Sequence, residues 1–394
     1  MSDPTAGFTD MQWYLYRQRN IAFFAAYTAH PFSQMDLLQA ARGLVTLAPQ
    51  LNFGFPSGLP DELLRRTTSI TEVSSLEGFP DRWLDRGEAV LNDPSLPLFR
   101  LRYASLATAD SAGRAGFLLV QVSHALVEGA DSALLSRSQS ADHPVSLSPR
   151  RTAPLVKAAA TGLGAVLAGL HLIAGNFITA RPGPFGAATR AYPRAQFSQL
   201  ARHYGVRQRA LLYALVLATL FDAGTAAGRR RISSTYSTID DGGGADRDAF
   251  MRMRMRFAIF ENRSDLGDFV RAVDARLWEA EAKESGFNAE MNAEGIRMHR
   301  RLSRLLPGAY TPKLFRFMPY DVVLGLIPPH RLGGRLTAGL MEPVYAGAAL
   351  EGANACVIVP GRTQLTFNFY IEQKLLPRMQ RLDELLASIL IARS

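Results

Sequence analysis

Residues 158–177, AAATGLGAVLAGLHLIAGNF, carry no charged side chain. Wound as a helix, twenty residues rise about 30 Å, the thickness of a bilayer's hydrocarbon core. This run decides whether the chain spans a membrane or folds in water. Four glycines and His171 dilute its hydrophobicity, so we expect a buried or membrane-surface helix and not a span. Around it the composition is that of a globular chain, 47% hydrophobic and 20% charged. A length of 394 residues exceeds one ordinary core and predicts two domains.

The opening MSDPTAGFTDMQWYLYRQRN lacks the basic start and apolar centre of a secretory signal. The single cysteine, Cys356, excludes an intramolecular disulfide and a cysteine-based metal site. Both point to a cytoplasmic protein, at most one working at the inner face of the membrane. The formal net charge is +9, with only four lysines among the basic residues. By default such an arginine excess reflects genome composition; its functional reading is attraction to a membrane surface, an acidic carrier protein or a nucleotide-bearing cofactor. Nucleic acid is not expected. The basic residues are scattered apart from Arg229-Arg230-Arg231 and the RMRMR of 252–256, and no groove-reading motif is present.

Helical periodicity marks FTDMQWYLYRQRN and SQMDLLQAARGLVTLAPQL, the second with Leu37, Leu38, Ala41, Leu44 and Val45 on one face. LFRLRYASL and AGFLLVQVS read as strands joined by the turn ADSAGR. A polar, proline-bearing link at 138–154 suggests a boundary. We therefore expect an N-terminal domain over 1–154, an apolar helical connection over 155–190 and a C-terminal domain over 191–394. In the latter, AQFSQLARHYGV, RQRALLYALVLATLFDAG and SDLGDFVRAVDARLWEAEAKESGF read as helices, RRISSTYSTI and FMRMRMRFAIF as strands, and ANACVIVPGRTQLTFNFYI as a hairpin before a last helix, PRMQRLDELLASILIAR. Each half mixes helices with locally paired strands, so the fold class is α/β of mixed α+β character.

Within this frame the string Val122-Ser123-His124-Ala125-Leu126-Val127-Glu128-Gly129 stands out. An apolar strand ends at His124, and small residues that open a helix follow Gly129. Strand ends are where scaffolds place reactive side chains; the plain alternative is a core histidine with a satisfied ring. A glycine lets the backbone turn sharply, and Glu128 can anchor such a turn to an arginine. No G-x-S-x-G, cysteine–histidine pair or metal-ligand spacing competes: His203, His299 and His330 read as isolated, and His171 as structural. DDGGGADRD lacks the spacing of a calcium loop and the lysine of a P-loop, and reads as a surface loop. RMRMR reads as an edge strand with its Met and Phe side chains turned to the core.

Ser123-His124-Ala125-Leu126-Val127-Glu128-Gly129 resembles the HHxxxDG signature of the chloramphenicol-acetyltransferase-like superfamily, which includes condensation domains and the wax ester synthase/diacylglycerol acyltransferases. Fainter similarity to the last of these runs through FSQLARHYGVRQRALLYALVLATLF and the final hairpin, whereas the DFGWG motif of plant-type members is absent. In this sequence Ser123 replaces the first histidine and Glu128 the aspartate. The resemblance implies two acetyltransferase-like half-domains forming a pseudo-dimer with a tunnel at their interface. It implies His124 as catalytic base, with Glu128 and Gly129 structural at the motif. The implied reaction moves an acyl group from an acyl-CoA or acyl-carrier-protein thioester, used as co-substrate with no bound cofactor, to the hydroxyl or amine of a lipidic acceptor. The partners expected are that donor and acceptor, an acyl carrier protein and a peripheral membrane contact. The departures at Ser123 and Glu128 leave a second class open, a non-catalytic lipid- or carrier-binding protein of the same fold.

Overall fold

The computed structural model describes residues 8–47, 49–52, 55, 58–84, 91, 96–126, 154–177, 183–239, 253–282, 287–315, 320–327, 340–350 and 352–391. Helix α1 (Asp10–Arg17) starts at a capping box, in which the Thr9 hydroxyl accepts from the Gln12 N–H and the Gln12 side chain accepts from the Thr9 N–H. Arg19, at a φ of 56°, turns the chain into strand β1 (Ile21–Thr28). Helix α2 (Gln34–Leu47) buries Leu37, Leu38, Ala41 and Leu44 on the face its periodicity predicts. Helix α3 (Asp61–Arg66), strand β2 (Thr68–Glu72) and helix α4 (Asp81–Leu84) precede the predicted hairpin of β3 (Phe99–Ser105) and β4 (Gly116–Ser123). Its turn is held by the Asp110 carboxylate, which accepts the N–H groups of Ala112 and Arg114, both at 3.0 Å. Gly113 there has a φ of 73°, which a side chain would disfavour.

Next come helix α5 (Pro154–Phe177), strand β5 (Phe185–Pro193), helices α6 (Arg194–Tyr204) and α7 (Gln208–Phe221), and strands β6 (Arg231–Ile239) and β7 (Met253–Glu261). Helices α8 (Leu266–Ala282), α9 (Phe287–Leu305) and α10 (Pro312–Phe315) lead to strands β8 (Val322–Leu326) and β9 (Leu340–Ala349). The hairpin of β10 (Asn354–Pro360) and β11 (Gln364–Glu372) and helix α11 (Met379–Ile391) complete the elements.

The strands form two sheets, of order β2-β3-β4-β1-β9 and β5-β11-β10-β8-β6-β7. Each combines parallel and antiparallel neighbours, for example β2 with β3 against β3 with β4, and β8 with β10 against β10 with β11. The architecture is therefore mixed α/β with two sheets. Sheet membership does not follow chain order. β9, from the later part of the chain, pairs antiparallel along β1 and closes the first sheet. It also reaches the second sheet: Glu342 accepts from the backbone of Arg362 and Thr363 at the β10–β11 turn, and the Thr366 hydroxyl donates to the Val344 carbonyl at 2.9 Å.

Two apolar helices settle differently. α7 is enclosed by the second sheet and by α6, α8 and α11, and every residue from Ala210 to Leu220 is buried. α5 is covered on one side, chiefly by α9. The two run alongside in the same direction and approach closely at Gly164, where a Cβ would come within 2.6 Å of the Met291 carbonyl. Its other side leaves Leu163, Val166, Leu167, Leu170 and Ile173 exposed. Among the described residues no helix is long and apolar enough to cross a membrane.

β7 lies at the edge of the second sheet, as its charged pattern predicts, but with its faces reversed. Ala258 and Phe260 are buried, whereas Phe257 and Ile259 are 53% and 42% exposed. Phe257 thus points away from the core, and Arg256 shares the core-facing parity and donates to the Ala280 carbonyl at 3.2 Å. Beyond Arg256 both parities are apolar, so alternation alone could not fix the face.

Candidate active site

β4 is the third of five strands and is buried along its whole length. A strand covered on both faces reads as a continuous apolar run, which is how Gly116–Val122 appears in the sequence. The chain leaves it through a tight turn in which the Leu126 N–H donates to the Ser123 carbonyl at 2.9 Å. Ser123 is fixed by its own N–H to the Leu98 carbonyl at 2.8 Å, and the His124 N–H donates to the Asn20 carbonyl at 2.8 Å. Ser123, Ala125 and Leu126 are all buried; His124 alone of the four is partly exposed. The core thus grips the backbone on both sides of His124 and leaves its imidazole as the one side chain of the turn with access to solvent. Glu128 and Gly129 lie outside the described residues, as do the loop DDGGGADRD and His330.

The Ser123 hydroxyl accepts from the Ala125 N–H at 3.4 Å, a turn-stabilising contact in place of a second imidazole. Asn20, which presents its carbonyl to His124, is itself buried and donates through Nδ2 to the Gln18 side chain at 2.9 Å. Its Oδ1 is buried and has no hydrogen-bond partner among the described residues. Gln18 hydrogen-bonds Tyr14, whose hydroxyl is pushed up to about 12 by burial, an effect the Gln18 contact offsets in part. Sequence reasoning did not single out these three residues. The signal of Gln18 and Asn20 was weak, because polar side chains after a helix usually mark an exposed connection, and Tyr14 read as one more residue of the helix.

A second cluster corrects the expectation that His299 stands alone. His299 on α9 and His171 on α5 approach at 3.2 Å through ring nitrogens, and the other His299 nitrogen meets the Tyr310 hydroxyl at 3.1 Å. One imidazole must donate to the other, so at most one of the pair can carry the extra proton without losing this contact. Burial, reinforced by the charge His171 can carry, lowers the pKa of His299 to about 4. The two positions are 128 residues apart in the chain, and only the close α5–α9 packing joins them. Tyr14 also packs on the His299 ring, with centroids 5.8 Å apart.

Elsewhere, Cys356 is buried and burial pushes its thiol up, so it is no candidate nucleophile. Among the described residues no group of three or more His, Cys, Asp or Glu could hold a metal ion. A polar cavity of about 600 Å³ is lined by Tyr27, Leu76, Glu77, Thr108, Asp110 and Arg114. It lies by the start of β4, the opposite end of that strand from His124.

No protein-family model matches the chain, and no curated protein matches it by sequence. Solved structures do match in fold. A trichothecene 15-O-acetyltransferase, TRI3 from Fusarium sporotrichioides, superposes with a TM-score of 0.57 at 12% identity, covering 94% of this chain and 91% of its own. The first condensation domain of the calcium-dependent antibiotic synthetase gives 0.53 at 15% identity, over 97% and 95%. The wax ester synthase/diacylglycerol acyltransferase from Marinobacter aquaeolei VT8 gives 0.52 at 14% identity, over 96% and 95%. The chain thus shares the fold of these acetyltransferase, condensation-domain and wax ester synthase structures.

Proposed function

We propose that the protein is an acyltransferase that carries an acyl group from a CoA or carrier-protein thioester to a hydroxyl or amine of a lipidic acceptor, with His124 as general base. One observation carries this reading. In a fold that solved acetyltransferase, condensation-domain and wax ester synthase structures share, His124 is the partly exposed side chain at the end of the buried central strand. Held there, the imidazole takes the proton from the acceptor's O–H or N–H as that atom attacks the thioester carbonyl. The tetrahedral intermediate then collapses with cleavage of the C–S bond, and the departing thiolate recovers the proton from the imidazolium. The products are an ester or amide and a free thiol. No bound cofactor is needed. Donor and acceptor are proposed to reach His124 along a tunnel between the two halves. Glu128 and Gly129 are assigned structural roles, with the Glu128 carboxylate anchored to an arginine.

A general base of this kind contributes a factor of about 10²–10⁴ to the rate. His124→Ala should therefore lose most single-turnover transfer from an acyl-CoA or acyl-carrier donor, with donor affinity by calorimetry little changed. His124→Gln should fare no better, because an amide cannot take up the proton. Transfer by His124→Ala at the wild-type rate would place the base elsewhere. A wild-type protein that binds lipid or carrier but transfers nothing would favour the binding-protein reading, for which the buried, turn-bonded Ser123 hydroxyl speaks.

A further inference from the structure

We infer that the uncovered face of α5 docks on an anionic lipid bilayer, with the helix lying in the plane of the headgroups. The face is apolar without interruption. Leu163, Val166, Leu167, Leu170 and Ile173 recur at helical spacing and are 42–58% exposed. The other exposed positions toward the helix start, Ala158, Ala159, Thr161 and Gly162, add no charge. Water-facing surfaces rarely leave such a stripe uncovered unless something binds it. At the far end of the helix pair, where the Asn176 side chain donates to the Ala309 carbonyl at 3.1 Å, Leu305 and Leu306 are also exposed.

Charge selects the occupant. From 143 to 189 the sequence has no Asp or Glu and four Lys or Arg, so the stretch that contains α5 is purely cationic. Arg150, Arg151 and Lys157 precede the apolar run and Arg181 follows it. On α9, Arg301 and Arg304 are exposed and form no ion pair among the described residues. Apolar side chains on one face with cations at the flanks are the pattern of a helix held at an anionic membrane surface. A symmetric contact with a second copy would instead set these cations against each other. The opposite face of α5 is committed to α9 through Gly164, and the helix is not apolar enough to cross, so docking stops at the depth of one helix.

The test uses the full chain and flotation with phosphatidylcholine vesicles, with and without one-third phosphatidylglycerol. Wild type should bind the anionic vesicles and bind the neutral ones more weakly. Leu170→Glu combined with Ile173→Glu should lower affinity at least about tenfold with an unchanged melting temperature, because neither side chain is buried. Arg301→Glu combined with Arg304→Glu should reduce the preference for anionic lipid. Failure of wild type to bind either vesicle, or equal binding by the Leu170/Ile173 variant, would overturn the inference. So would sedimentation that finds a dimer which that variant splits. None of these readouts uses acyl transfer, so the outcome is independent of His124.

Discussion

In α7 every residue from Ala210 to Leu220 is buried, whereas α5, equally free of charge over 158–177, turns five large aliphatic side chains outward. Their sequences differ little in kind. What separates them is the number of neighbours. Among the described residues α7 has a sheet beneath it and three helices around it, whereas α5 packs chiefly on α9 and the short α10. An apolar helix states that it must be covered, and the rest of the chain states by what. For α7 the cover is in the same molecule. For α5 one face stays uncovered among the described residues.

The largest effect expected from this contrast is in α7. Leu217→Ala removes a fully buried side chain and should cost about 2–5 kcal/mol in denaturant unfolding. Acid should then loosen the α5–α9 seam. His299 binds its proton near pH 4 when folded and near the ordinary histidine value of about 6.5 when unfolded, so the unfolded chain holds more protons between them. The stabilisation is complete above about pH 6.5 and is lost as pH falls toward 4, by about 3 kcal/mol at pH 4.5. Melting curves of His299→Gln should lack that share of the slope. A slope unchanged by the substitution would assign the acid sensitivity to other groups.

Gly164→Val tests the seam by steric means. Its Cβ would fall within 2.6 Å of the Met291 carbonyl, backbone that cannot swing aside, so the helices must part at a cost of about 1–3 kcal/mol. Smallest of all should be Leu170→Ala, on the open face of α5, within about 0.5 kcal/mol of wild type. If Leu170→Ala destabilised as much as Leu217→Ala, the two helices would be equally buried in solution and the contrast would fail.

Much of the first sheet's centre was legible in the sequence. β3, β4 and their turn announced themselves through an apolar run, Asp110 and Gly113, all local signals. The end of β4 at His124 followed from the same run. β1 was not read: IAFFAAYT is short, apolar throughout and follows a helix without a turn-forming pair, so periodicity could not separate strand from helix. The face of β7 was misread because Phe257, Ala258, Ile259 and Phe260 are apolar on both parities. The His171–His299 pair was invisible because its cause is the absence of a side chain at Gly164, which says nothing locally about which helix will approach. Similarly, nothing within Asn20 foretells that its carbonyl will hold the His124 N–H; that follows from the β1–β4 register, Ile21 opposite Ser123.

The strand β9 sets the timing of assembly. Residues 340–349 must emerge from the ribosome before β1 acquires its second neighbour, so through most of synthesis the first sheet carries an open, largely apolar edge. The nascent chain is most vulnerable to edge-to-edge association in that interval, and shielding by a chaperone would count most there. Any fragment that ends before Leu340 keeps the open edge permanently. A split version of the protein could succeed only if the piece bearing β9 reaches β1 before another exposed edge does.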